Sequence, residues 1–431
     1  MKRLINYIRT NLLLKVASLN SVSVFVRLIT GFATSKAIAI FVGPEGLALI
    51  GNFKNFLAPV QSISTLGLYN GIVKYVSEFK YQTFKLSKAI SSSVYLVLFS
   101  TLIAAFCCWF GAEFFNGLVF SGQGDYTFVF KALAIALPFY SFQFLVLSIN
   151  NGMSRFSTVL YISIIGQLLV TVLVLYLIWQ YGLKGALLGL AIGEATLFIV
   201  VLFWVRKDSS FLRLVKFQKI NLYNIRNLSA YSMMTLFSAI VLPLTMVMIR
   251  NYIINVEGTD VAGHWEAMNR ISGYYLLFVS TLFLLYLLPK YSEIKTDYEF
   301  RNEVKLFYKT IIPIFSIGLL LIYFFRVFII QLVFTEEFLP TADLFKWQLI
   351  GDLLKVISLV LSYQFIAKRM IVHFMLTEIV SVVLLYVFSI NLIDKYGVEG
   401  ANLAYCINYG IYLFILLIIF RKQLFGKLEM A

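Results

Sequence analysis

Apolar runs long enough to cross a bilayer recur from one end of this chain to the other, and that feature excludes most folds. A hydrocarbon core of about 30 Å is spanned by about 20 helical residues. Runs of this kind begin near Lys15, Leu49, Leu86, Phe128, Ser157, Gly185, Leu228, Ala262, Phe307, Leu344, Phe374 and Gly400, twelve in all. A soluble domain has no means of hiding a sequence that is 60% hydrophobic and only 13% charged. The reading is an all-α polytopic membrane protein with twelve transmembrane helices. The opening MKRLINYIRT is basic, but Asn20 and Arg27 interrupt the apolar run after it, so the first span itself directs insertion and no cleavable leader is expected. Cys107, Cys108 and Cys406 all fall in apolar runs and read as small core residues; no metal site and no cofactor is expected.

Charge orients the spans. With the N-terminus placed in the cytoplasm, 24 of the 36 Lys and Arg fall in cytoplasmic segments and four on the periplasmic side (Lys131, Lys184, Lys346, Lys395). The periplasmic side also carries eleven acids, among them Glu113, Asp125, Glu257, Asp260, Glu336 and Glu337. This bias sets a topology with both termini cytoplasmic and accounts for most of the net charge of +15 without any nucleic-acid partner.

Eight cations remain inside or at the ends of the spans: Arg27, Lys36, Lys54, Lys74, Arg250, Arg270, Arg326 and Lys355. Only Glu194, Asp352 and Glu378 are read as intramembrane acids, and these three are the candidates for ion coupling. A charge at the bilayer centre costs at least about 2.5–3.5 kcal/mol, so such residues face protein or water. Lys54 lies ten residues beyond Pro44, about 15 Å into its helix, too deep for easy snorkelling. Lys74 and Arg326, nearer the span ends, suit snorkelling. Asp352 and Lys355, three apart, fit a structural ion pair as well as a functional one. His264 and His373 read as ordinary surface or interfacial residues.

The chain repeats itself. Residues 181–207, YGLKGALLGLAIGEATLFIVVLFWVRK, and 396–422, YGVEGANLAYCINYGIYLFILLIIFRK, are identical at nine of 27 positions with an offset of 215. Each copy leads into the last span of its half, as expected for parallel repeats of six spans. The division is an N-terminal six-helix bundle at 1–207, a linker at 208–227 lying on the inner membrane face, and a C-terminal six-helix bundle at 228–431. Gly185, Gly189 and Gly193 form a small-residue ridge suited to close helix packing.

Polar residues fall in stripes within the spans. Span 1 carries Asn20, Ser23, Arg27, Thr30 and Thr34 at steps of three and four, on one helix face. Span 2 carries Lys54, Gln61 and Thr65, with Asn52 and Asn55 adjacent and Pro59 as a kink. Asn269 answers Asn52 in the second half. The candidate cationic site is Arg27, Lys36, Lys54, Arg250, Arg270 and Lys355, with Thr34, Asn52, Asn55, Gln61 and Asn269 as polar lining. Such an interior suits an anionic, hydroxyl-rich ligand.

At residues 43–55, GPEGLALIGNFKN, followed by NGIVKYVSEF at 70–79, the chain resembles Wzx-type lipid-linked oligosaccharide flippases, closest to the branch translocating the enterobacterial common antigen intermediate. AGHWEAMNRIS at 262–272 resembles the start of the second half in that family. The resemblance implies the multidrug/oligosaccharidyl-lipid/polysaccharide exporter (MATE-like) fold, two six-helix bundles forming a V around a central cavity, in the bacterial inner membrane. It implies a polyprenyl (undecaprenyl) diphosphate-linked oligosaccharide as substrate, with polysaccharide polymerase and chain-length machinery as candidate partners beside the bilayer itself. Two rivals remain. A drug or organic-cation exporter of the same superfold favours cavity acids, whereas this interior is net positive. A membrane polymerase or glycosyltransferase needs a sizeable external catalytic loop, and the segments near 111–127 and 331–343 are too short for one.

Overall fold

A computed structural model describes residues 12–207 and 222–426, and every regular element in them is helical. Most of the expected linker at 208–227 lies outside the described residues. The helices are α1 (Leu12–Phe41), α2 (Gly43–Ser64), α3 (Tyr69–Glu78), α4 (Thr83–Phe110), α5 (Ala112–Phe120), α6 (Thr127–Gly152) and α7 (Phe156–Lys207). They continue with α8 (Leu222–Glu257), α9 (Thr259–Leu282), α10 (Leu288–Glu293), α11 (Asp297–Phe324), α12 (Arg326–Val333), α13 (Thr341–Ala367), α14 (Ile371–Tyr396), α15 (Val398–Ile419) and α16 (Arg421–Phe425). Among the described residues ten helices are long and apolar enough to cross a membrane. One of the ten, within α7, runs 51 residues and is broken at Gly182 (φ 55, ψ −129), so it supplies two crossings. With the 22-residue α2, whose Asn and Lys lower its hydropathy, the total reaches the twelve expected.

Two compact units emerge, Met1–Val42 with Asn52–Leu244, and Gly43–Gly51 with Thr245–Ala431. In the first, Ile72 and Val76 of α3, Ile90 and Val97 of α4, Val146 and Ile149 of α6 and Val201 of α7 form one core. Phe53 and Phe56 of α2, Phe120 of α5 and Phe130 of α6 form a second, with ring centroids 5.2–6.5 Å apart. Hydroxyls supply glue where helices meet: Thr101 Oγ1 donates to Ser141 Oγ (2.7 Å), and Ser100 Oγ donates to the Ile63 carbonyl (2.6 Å). The second unit closes over Phe283, Leu287, Tyr291, Phe300, Val356, Phe365 and Phe420, where a π-helical turn at Phe283–Leu287 continues α9 into α10.

The sequence repeat is a structural one. Gly182 and Gly397, 215 apart, share the same unusual backbone (φ 55 and 63), open to glycine because it lacks a Cβ. Three residues on, a Cβ at Gly185 would strike the Leu177 carbonyl, and one at Gly400 would strike the Leu392 carbonyl, again 215 apart. Gly189 and Gly193 face the first limb of α7, where an added Cβ would come within 3.1 Å of Val174 and Val170, so the glycine ridge serves packing. A backbone carbonyl cannot rotate aside. Gly185→Ala and Gly400→Ala are therefore each expected to destabilise the protein by about 1–3 kcal/mol, read as a lower melting temperature in detergent. Gly117→Ala, with nothing within 4 Å of the added carbon, is the matched control and should melt with the parent.

Candidate functional site

In the first unit the expected cations differ in exposure. Arg27 of α1 and Lys54 of α2 are both exposed. Thr34, Lys36, Asn55 and Gln61 are half-buried. Asn52 differs: it is fully enclosed, and its amide donates to the Val119 carbonyl of α5 at 2.9 Å. It ties α2 to α5, a structural duty that spacing in α2 did not reveal. Glu194 of α7 is exposed and close enough to Arg27 for the two charges to interact. The Gln143 side chain of α6 donates to the Glu194 carbonyl at 2.8 Å, fixing that turn of α7.

The second unit holds its cations differently. Arg250 of α8 is 1% exposed, and its Nη2 donates to Glu266 Oε2 of α9 at 2.5 Å. The other carboxylate oxygen accepts from Arg270 Nε, one helical turn on, at 3.0 Å. The Arg250 guanidinium also lies over the Trp265 ring, 5.1 Å from its centroid. The carboxylate packs so closely on α2 that a Cβ at Gly51 would lie 2.6 Å from it. Glu266 is thus an acid within a candidate span beyond the three expected, Glu194, Asp352 and Glu378. Its i,i+4 spacing to Arg270 was the signal that marked it. Arg250 is enclosed, whereas Arg27 and Lys54 are exposed. The Asn269 amide donates to the Trp265 carbonyl at 2.9 Å.

Asp352 on α13 is fully buried and accepts four neutral donors: Ser272 Oγ (2.7 Å) and the Tyr275 hydroxyl from α9, the Tyr405 hydroxyl from α15 (2.8 Å), and Gln348 Nε2 (3.4 Å). Gln348 Oε1 accepts in turn from Asn402 of α15 at 2.7 Å. Lys355 lies over the rings of Tyr405 and Tyr409, 5.6 and 5.4 Å from their centroids. Glu378 of α14, half-buried, acts electrostatically on Lys355. Sequence reasoning found the acid and the lysine but not this cage. At the 215-residue offset the network positions Gln348, Asp352, Asn402 and Tyr405 correspond to Leu133, Leu137, Leu187 and Leu190.

Two lesser readings change. His264 is buried, with Nε2 3.3 Å from Asp260 Oδ2 and its ring edge-on to Phe338, rather than at the surface. Cys107 is exposed, while Cys108 and Cys406 are buried. His373 is exposed as expected and stacks on Phe365. Arg326 and Lys74 lie over Tyr323 and Tyr75.

The fold is shared with solved transporters of the MOP superfamily. An inward-facing multidrug resistance MATE family transporter of the MOP superfamily superposes with a TM-score of 0.70 at 15% identity, covering 93% of this chain and 98% of that one. The lipid II flippase MurJ, in an inward closed conformation, gives 0.63 at 16% identity, covering 93% and 87%. The chain belongs to the polysaccharide biosynthesis protein family, whose pattern matches residues 13–295. It is similar to the Lipid III flippases of Escherichia coli (strain K12) and Shigella flexneri, each 30% identical over 411 residues, 93% of this chain and 96% of the relative.

Proposed function

We propose that this chain is a flippase that moves a polyprenyl-diphosphate-linked oligosaccharide from the cytoplasmic to the periplasmic leaflet of the bacterial inner membrane, a transporter and not an enzyme. The observation that carries the reading is the nearly end-to-end 30% identity to a Lipid III flippase. The side chains fit that cargo. A diphosphate cannot cross hydrocarbon bare, and guanidinium and ammonium groups bind it by charge-assisted hydrogen bonds. Arg27, Lys36, Lys54, Arg270 and Lys355 are its contacts in this reading, with Arg250 acting through Glu266. Thr34, Asn55, Gln61 and Asn269 serve the sugar hydroxyls. Residues 1–207 and 228–431 act as the two six-helix halves of an alternating-access cycle, joined by 208–227, with both termini cytoplasmic. The net-positive set of charges disfavours an organic-cation exporter. Polysaccharide polymerase and chain-length machinery are the expected neighbours in the membrane. Deleting the gene should make a lipid-linked oligosaccharide accumulate on the inner leaflet; normal export of every such glycan in the deletion strain would overturn the reading.

Ion coupling belongs to the same proposal, through Glu194, Asp352 and Glu378. Asp352 is the strongest of the three, being buried among neutral donors where gain or loss of a proton or cation changes the whole cage. The triple variant Glu194→Gln, Asp352→Asn, Glu378→Gln is expected to lose the pH or cation dependence of uptake into proteoliposomes. Uptake as pH- and cation-dependent as the parent's would exclude coupling through these acids.

A further inference from the structure

Between α11 and α13 a groove of 340 Å³ opens on the second unit. Four residues of each helix line it: Ser316, Leu319, Leu320 and Tyr323 of α11, and Lys346, Leu349, Ile350 and Leu353 of α13. Seven residues separate the two ends on each helix, so the groove runs about 10 Å along them at 1.5 Å per residue. Leu319 and Leu349, 6% and 5% exposed, form its floor. Leu320 and Ile350, 58% and 42% exposed, form open walls.

The groove wall is almost wholly hydrocarbon, and cations and aromatic rings border one end of it. Lys346 lines the mouth and lies 4.7 Å from the Trp347 ring centroid. Arg326, the first residue of α12, sits 4.4 Å over the Tyr323 ring, and its Nη1 donates to the Tyr323 carbonyl at 2.9 Å. Those contacts hold a guanidinium beside the mouth. Tyr, Trp, Lys and Arg gathered at adjoining helix ends mark the headgroup level of a bilayer, and the charge bias of the loops puts this end on the periplasmic side. From there the apolar trough descends along α11 and α13 toward the membrane centre. Its two parts match an anionic phosphate at the interface joined to one hydrocarbon chain below it.

We infer that this groove is a binding site for an anionic glycerophospholipid of the periplasmic leaflet, with the phosphate at Lys346 and Arg326 and one acyl chain along Leu319, Leu349 and Leu353. A bilayer lipid is favoured over the transported polyprenyl diphosphate because the groove has open walls along its length, as a site that exchanges with surrounding lipid requires. The inference is independent of the proposed transport cargo. A zwitterionic lipid satisfies the trough but leaves the two cations with an internally neutralised headgroup, so selectivity for net negative charge is expected.

The test is native mass spectrometry of the full chain released from nanodiscs of phosphatidylethanolamine and phosphatidylglycerol. The parent should retain one phosphatidylglycerol in preference to phosphatidylethanolamine. Lys346→Ala with Arg326→Ala should retain at least about tenfold less, since even one lost charge-assisted contact is worth about that. Lys346→Arg with Arg326→Lys should keep it, which separates charge from misfolding. Leu353→Trp, which fills the inner end and leaves both cations in place, should also expel the lipid. Equal retention of the two lipids by the parent, or undiminished phosphatidylglycerol on the double alanine variant, would overturn the site. So would displacement of the lipid by equimolar farnesyl diphosphate, which would assign the groove to the isoprenoid cargo instead.

Discussion

Lys54→Ala is expected to lower translocation per folded transporter by about ten- to hundredfold, the effect of losing one proposed charge-assisted contact worth about 1.5–3 kcal/mol. The expectation rests on a lysine that is exposed although it lies several turns inside its helix. Burial against protein does not account for it, and a position so far from the helix ends is too deep for snorkelling. Lys54→Arg should keep most activity, because a flexible diphosphate responds more to charge than to donor geometry. Lys54→Glu should fall below alanine, since it repels the cargo. If Lys54 served packing alone, all three variants would lower protein abundance without separating by charge. Uptake measured at equal folded abundance distinguishes the two, and a glutamate variant as active as the parent would remove Lys54 from the substrate path.

Glu266→Ala acts on stability instead. One carboxylate, 5% exposed, neutralises two guanidiniums, of which Arg250 is enclosed. Removing it leaves Arg250 buried without that partner, and breaking a buried pair from one side costs about 3–5 kcal/mol. Folded yield in detergent should collapse and the melting temperature of any survivor should drop sharply. Arg270→Ala should be milder, because Arg270 is only partly buried and its loss leaves the Arg250–Glu266 pair intact. A Glu266→Ala protein that melts with the parent would show that the triad is not what holds α8 to α9.

The twelve crossings were legible because hydropathy over 20 residues is a strong and local signal. Even α2, the least apolar, was found, since its Pro44 start and polar interruptions still leave a helical run. The repeat was legible at one segment, 181–207 against 396–422, where Gly182 and Gly397 share a backbone conformation that few other residues adopt. What sequence could not supply was pairing. Asn52 and Lys54 sit two residues apart on α2, yet one is sealed against Val119 and the other is exposed. Rotation about the helix decides that, and the polar stripe alone left it open. Arg250 looked like Arg27 in sequence, but its partner Glu266 lies on the next helix, 16 residues on. The Asp352 cage draws on α9, α13 and α15, so its tyrosines carried no local mark.

Transport of a lipid-linked glycan is tested most directly by reconstituted translocation. Proteoliposomes carrying a fluorescent polyprenyl-diphosphate oligosaccharide in both leaflets are treated with an external, membrane-impermeant quencher. With the parent protein, quenching should continue past the outer-leaflet fraction toward completion, and Lys54→Glu should hold it near the level of empty vesicles. Quenching that stops at the outer leaflet with folded parent protein present, over a range of glycans and with either proton or sodium gradients imposed, would contradict the account.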